Sequence, residues 1–144
     1  MSYPVGVITW INGPVMRARG SGSVALGNMV EPGEEHLIGE VIGLLNDEMT
    51  IQVYEETSGM TPGMPVYSTG LPLSVELAPG LIGSIFDGIQ RPLPVMERFT
   101  GSFIGRGIGL TPLHRGTPWH FTPVVEPGEF INPGMILGVV PENA

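Results

Sequence analysis

The amino-acid sequence predicts an all-β chain: a small barrel, then a smaller β-rich domain of barrel-sandwich type, with one short helix between them. Three observations predict it. Gly (22) and Pro (15) account for about a quarter of the 144 residues, yet 42% of the chain is hydrophobic, so frequent turns coexist with enough apolar matter for a core. Five Pro-Gly turns punctuate the chain: Glu31-Pro32-Gly33, Thr61-Pro62-Gly63, Ala78-Pro79-Gly80, Glu126-Pro127-Gly128 and Asn132-Pro133-Gly134. Pro presets φ for the second residue of a type II turn, and Gly accepts the positive φ of the third. Between these turns apolar residues recur with a period near two, the spacing of strands.

Taken in order, residues 5–11 and 37–45 are apolar on both faces, as in strands of a closed or heavily covered sheet. Met49, Ile51 and Val53 alternate with Thr50, Gln52 and Tyr54, and Leu73, Val75 and Leu77 alternate with Ser74 and Glu76. Several short strands at this spacing predict a small barrel over residues 1–78. Leu81, Ile82, Ile85, Phe86 and Ile89 fall instead at helical spacing, with Pro79 suited to a first turn. Gly80, Gly83 and Gly88 weaken that helix by roughly 1 kcal/mol each, so it is short and dependent on packing. Arg91-Pro92-Leu93-Pro94 stops it, which makes 79–100 a helix and linker and 101–144 a second domain. In that domain two Pro-Gly turns six residues apart, each followed by apolar residues, resemble the turn of lipoyl-like barrel-sandwich folds. The pentapeptide Val-Glu-Pro-Gly-Glu occurs at both 30–34 and 125–129 and reads as reused turn chemistry.

Composition closes several functional classes. The net charge of -8 opposes a non-specific grip on nucleic acid or anionic lipid. There is no cysteine, hence no disulfide, thiolate metal site or cysteine nucleophile. All six basic residues are arginines. Without a lysine the chain has no Walker A loop, no Schiff base and no lipoyl or biotinyl attachment. No stretch approaches the ~20 apolar residues of a membrane span, and no basic-then-apolar leader opens the chain. A soluble intracellular protein is expected.

Candidate chemical residues are few. Tyr54-Glu55-Glu56 carries adjacent carboxylates, but neighbours in a strand point to opposite faces, so Glu55 and Glu56 read as a strand end or subunit contact rather than an acid–base pair. Gly105-Arg106-Gly107-Ile108-Gly109 is glycine-rich, yet a phosphate cradle needs a strand before it and a helix after it, and Pro112 opposes the helix. His36, His114 and His120 lack metal-ligand spacing. Trp119 and Phe121 share one face of a strand and cover a core. Asp87 and Arg91, four apart on the expected helix, pair for roughly a few tenths of a kcal/mol. No Ser, His and Asp stand in a nucleophile-elbow context. The residues thus assign no catalytic, cofactor-binding or metal site.

The segment Ile51-Gln52-Val53-Tyr54-Glu55-Glu56-Thr57-Ser58-Gly59 resembles a signature of the A subunit of V-type and archaeal A-type rotary ATPases. So do Gly13-Pro14-Val15, Leu37-Ile38-Gly39-Glu40-Val41-Ile42, Leu73-Ser74-Val75-Glu76-Leu77-Ala78-Pro79-Gly80 and Ile85-Phe86-Asp87-Gly88-Ile89-Gln90-Arg91-Pro92-Leu93, in the family's order. Residues 101–140, with Phe103-Ile104-Gly105-Arg106-Gly107 and Trp119-His120-Phe121-Thr122-Pro123, look like the family's inserted region. Ala78 stands where the family usually has Gly, and Pro141-Glu142-Asn143 replaces a Glu-Thr ending. The resemblance implies a six-stranded N-terminal barrel that joins the barrels of B subunits in an alternating hexameric collar. It further implies an inserted region that meets the peripheral stalk, on the cytoplasmic face of a membrane. Family members run several times longer, and their P-loop, water-positioning glutamate and helical domain lie beyond residue 144. Mg-ATP is therefore expected in the longer parent chain, with no cofactor in these residues. The rival expectation is a free-standing β-barrel adaptor; a downstream reading frame leading to a Gly-Lys-Thr loop discriminates against it.

Overall fold

The computed structural model describes residues 2–20, 23–103 and 105–142. They divide into two compact units, Met1–Ser74 with Ser102–Gly109, and Val75–Gly101 with Leu110–Ala144. The expected boundaries at 78 and 101 thus shift. Residues 75–78 group with the second unit, and residues 102–109 return to the first.

Six strands build the first unit: β1 (Tyr3–Asn12), β2 (Val15–Arg19), β3 (Asn28–Pro32), β4 (Gly39–Leu45), β5 (Glu48–Val53) and β6 (Pro65–Pro72). Every pairing is antiparallel, and the order β1-β2-β5-β4-β3-β6 closes on itself when β6 pairs with β1. The barrel therefore leaves none of its six strands with a free edge. Two hairpins follow from tight loops: Gly13-Pro14 between β1 and β2, and Asn46-Asp47, with Asn46 at φ 55, between β4 and β5. The core draws on all six strands through Val5, Ile8, Met16, Ala18, Val30, Val41, Met49, Ile51, Val53 and Val66, joined by Leu37 from a loop. The expected alternation of β5 holds, since Met49, Ile51 and Val53 all point inward.

In β1 the inward residues Val5 and Ile8 are three apart, which a regular strand forbids. Register shifts between Pro4 and Gly6 and between Ile8 and Trp10 supply the extra residues. At one of them Gly6 passes so close to β2 that a Cβ would lie 2.8 Å from the Arg19 carbonyl oxygen. The strands read as apolar on both faces are covered on one only. Val7, Trp10, Ile42 and Leu44 point outward and are exposed, because a barrel made by one chain has a single interior.

All five Pro-Gly turns form as expected, their glycines at φ between 79 and 104. Backbone bonds from Glu129 N to Glu126 O (3.1 Å) and from Met135 N to Asn132 O (3.1 Å) close the last two. The repeated pentapeptide serves two surroundings: Val30 and Pro32 are buried at the end of β3, whereas residues 126–129 are exposed. Shared turn chemistry accounts for the repeat.

The second unit departs further from expectation. Residues 73–77 form no strand, and Val75 and Leu77 are exposed, since no neighbouring strand takes their backbone groups. The helix does not form at 81–89; α1 is Leu93–Thr100, with Met96 buried. Pro94 falls within the first turn of α1, where its missing N–H has no partner to lose. At 87–91 the Asp87 carboxylate takes the backbone N–H groups of Ile89 (3.1 Å) and Arg91 (2.8 Å), which folds those residues into a turn instead. A backbone bond from the Gly101 N–H to the Glu97 carbonyl (2.8 Å), with Gly101 at φ 69, ends α1. Among the described residues of this unit the only paired strands are β7 (Thr122–Pro123) and β8 (Gly138–Val139). The expected barrel-sandwich gives way to turns pinned by side chains. No helix among the described residues is long and apolar enough to cross a membrane.

Candidate functional site

Closure of the barrel makes its outer side chains the means by which it meets anything else. On β1 Tyr3, Val7 and Trp10 stand outward, and across the β1–β2 pairing the Arg17 guanidinium lies over the Trp10 ring at 5.2 Å. On β4 Ile42, Leu44 and Leu45 are exposed. On one of the two sides between these apolar strands, β2, the start of β5 and the β4–β5 turn carry a charged wall, with Arg17 3.8 Å from Glu48 and Arg19 3.1 Å from Asp47. Such exposed pairs contribute about 0–1 kcal/mol to stability. Their placement between two apolar strands suits them better to orienting a neighbour than to holding the fold.

Each sequence candidate has a place. Tyr54, Glu55 and Glu56 follow the end of β5 and diverge, each held by a different partner. The Tyr54 hydroxyl donates to the Glu40 carboxylate; that hydrogen bond, with partial burial and the nearby charge, raises the phenol above its ordinary range. Glu55 accepts from Ile38 N (2.8 Å) on one oxygen and from Gly107 N (3.0 Å) on the other. Glu56 accepts from the Ser58 hydroxyl (2.6 Å) and N–H (3.1 Å), and these bonds hold its carboxyl below the usual range. The three side chains share no site.

The glycine-rich segment 105–109 is engaged by the protein's own carboxylates. Arg106 forms a two-pronged pair with Glu35, Nε to Oε2 at 2.9 Å and Nη2 to Oε1 at 3.0 Å, and Nη1 donates to the Ser58 carbonyl. A phosphate would have to displace Glu35 and Glu55 there. His36 Nδ1–H donates to the Glu31 carboxylate (2.9 Å) and the ring lies against Tyr67 at 4.8 Å, while His114 bonds Thr117 (3.0 Å). The described residues contain no group of three His, Asp or Glu able to hold a metal. A cleft beside the β4–β5 turn has a volume of ≈ 120 Å³, well under the ~300 Å³ where small-molecule sites begin.

In the second unit Trp119 and Phe121 precede β7 rather than sharing a strand. Phe121 packs on Gly138 so closely that a Cβ there would come 2.3 Å from its ring. Asp87 and Arg91 do pair, at 2.7 Å, but in a turn and nearly buried, which makes them far more than a surface detail. Burial pushes the Asp87 carboxyl up, but hydrogen bonds from the Arg91 and Ile89 N–H groups and the guanidinium outweigh it and hold it below its ordinary value. Sequence reading missed the Glu142 carboxylate, which accepts from Gly80 N (2.7 Å) and Ile82 N (3.0 Å), some sixty residues away. It also missed the reciprocal pairing of the Gln90 amide with the Glu76 backbone, at 2.6 Å each way.

A closed six-stranded antiparallel barrel with exposed apolar side chains on β1 and β4 defines the first unit as a β-barrel domain. The model of the ATP synthase alpha/beta family, β-barrel domain, matches residues 8–70. The V-type ATP synthase alpha chain of Halothermothrix orenii is 52% identical over 139 residues, which is 96% of this chain and 24% of that protein. The corresponding A-type ATP synthase chain of Staphylothermus marinus, its A subunit, is 47% identical over 138 residues, 96% of this chain and 23% of that protein. For the V-type alpha chain 1 of Clostridium tetani the figures are 48%, 100% and 24%. The chain belongs to the ATP synthase alpha/beta family and corresponds to the N-terminal region of the V-type and A-type A (alpha) subunit. It spans about a quarter of the length of these relatives.

Proposed function

We propose that this chain is the assembly portion of the A subunit of a rotary ATP synthase, and that its parent couples ATP hydrolysis or synthesis to proton or sodium transport. In this reading the barrel stands in a ring of alternating A and B subunits, and residues of the second unit meet a peripheral stalk. The ring lies against the cytoplasmic face of a membrane without entering it. Mg-ATP binds the parent through residues outside these 144. The absence of lysine from the sequence, and the bonding of residues 105–109 to Glu35 and Glu55, support this reading.

The observation that carries the reading is a closed barrel whose apolar strands β1 and β4 keep Val7, Trp10, Ile42 and Leu44 in water. Ring neighbours of the same shape would cover those side chains, while the charged wall between them sets orientation. Isolated barrels are expected to self-associate weakly, with β1 of one copy against β4 of the next. Light scattering should show mass rising with concentration, and a Val7→Glu, Trp10→Glu double variant should abolish the rise. A strict monomer at millimolar concentration, or association untouched by the double variant, contradicts the reading.

A further inference from the structure

Residues 105–109 lie between two stretches of the second unit, yet they bind the barrel unit. They are held differently from its strands. The barrel closes through backbone ladders and a buried apolar core, whereas this segment is fixed by polar bonds around two residues. Arg106 grips both oxygens of Glu35 and donates to the Ser58 carbonyl, and Gly107 N–H donates to Glu55 at 3.0 Å. Two separate loops of the barrel unit, the β3–β4 loop at 35 and the β5–β6 loop at 55 and 58, thus converge on one Arg-Gly pair. Only glycine fits the second position: Gly107 sits at φ 65, and a Cβ there would come 2.8 Å from the Glu35 carbonyl oxygen. Arg106 and Glu35 remain partly in solvent, with side-chain exposures of 31% and 50%.

We propose that residues 105–109 are a reversible strap. Arg106 and Gly107 dock into a notch formed by Glu35, Glu55 and the Ser58 carbonyl, and they leave it without unfolding the barrel. Polar anchoring near solvent is the physical basis. Charge-assisted bonds give the fork geometry and specificity, but partly solvated ion pairs weaken with salt, and no apolar core must be exposed for the strap to lift. The segments on either side, 75–101 and 110–142, both belong to the second unit, so the docked strap is the point at which the chain comes back to the barrel. The inference does not depend on a ring or on nucleotide.

Residue-resolved amide hydrogen exchange on the whole chain tests it. In Arg106→Gln, the Gly107 amide should exchange about tenfold or more faster, while the Val53 amide, bonded to the Pro14 carbonyl inside the barrel, should not change. Arg106→Lys should recover little protection, because an ammonium cannot reproduce the fork. The double variant Glu35→Arg, Arg106→Glu should recover part of it. In the unaltered protein, raising salt to about 1 M, where screening acts within roughly 3 Å, should speed exchange at Gly107 but not at Val53. Unchanged Gly107 exchange in Arg106→Gln would overturn the proposal. So would acceleration that spreads equally to Val53, since Arg106 would then be a general stability element of the barrel.

Discussion

In the barrel, eleven buried apolar side chains from six strands and one loop meet at a single core, and each strand is paired on both sides. In the second unit, among the described residues, Met96 and Leu113 are the buried hydrophobic side chains. Order there comes from polar pins: Asp87 with Arg91, Glu142 with the Gly80 and Ile82 amides, Gln90 with the Glu76 backbone, and Arg115 with Glu76. The same chain thus uses two strategies. Apolar burial is non-directional and sums over many contacts, so the barrel tolerates the loss of any one polar bond. A pinned unit rests on few bonds, each directional, and losing one partner leaves a buried group to be desolvated without return. Phe130, 95% exposed, and its neighbours Ile131 and Ile136 show how much apolar surface the second unit leaves uncovered.

That contrast can be broken or sharpened by substitution. The largest effect is expected at Ile51, whose replacement by Ala should cost about 2–5 kcal/mol in chemical denaturation and lower the stability of the whole barrel. Asp87→Ala should cost about 3 kcal/mol, because it removes the carboxylate beside the nearly buried Arg91 guanidinium. Its effect should be confined to amides of 75–101 and 110–142, and equal loss in β1–β6 would erase the distinction between the units. Gly138→Ala should cost about 1–2 kcal/mol by driving a methyl into the Phe121 ring, read from the same denaturation curves. Phe130→Ala should change stability by no more than about 0.5 kcal/mol, since that ring is already in water.

Acid and alkali should act on different contacts. The Asp87 carboxyl is held below its ordinary value, so its contribution is complete above about pH 4 and is lost as pH falls through the folded-state value. The Ile89 and Arg91 amide signals should therefore hold until the pH falls below about 4 and then shift together. Tyr54 works in the opposite sense. Its raised pKa means the neutral phenol is favoured, so its contribution is present below about pH 10 and fades as pH rises through the folded-state value.

The legibility of the sequence follows the same divide. Turns whose chemistry is local were readable: Pro presets one φ, Gly allows the next, and all five triplets turn. The inward alternation of Met49, Ile51 and Val53 was readable because the β5 pattern is set by one core. Where long-range polar bonds decide the structure, no local signal exists. Arg106 meets Glu35 across 71 residues, and Glu142 meets Gly80 across 62, with nothing in either segment to announce its partner. The apolar spacing of Leu81 to Ile89 suggested a helix, but the Asp87 carboxylate competed for the N–H groups that helix needed. The run Leu73 to Leu77 alternates like a strand and has no strand to pair with. The outward apolar faces of β1 and β4 were visible as two-sided strands, although a single chain cannot cover both sides.

The proposed function has these residues supply shape and contacts rather than bind nucleotide. Calorimetric titration of the 144-residue chain with Mg-ATP tests it most directly. The account predicts no saturable heat. A saturable isotherm with a micromolar Kd, lost in Arg106→Gln, would contradict it.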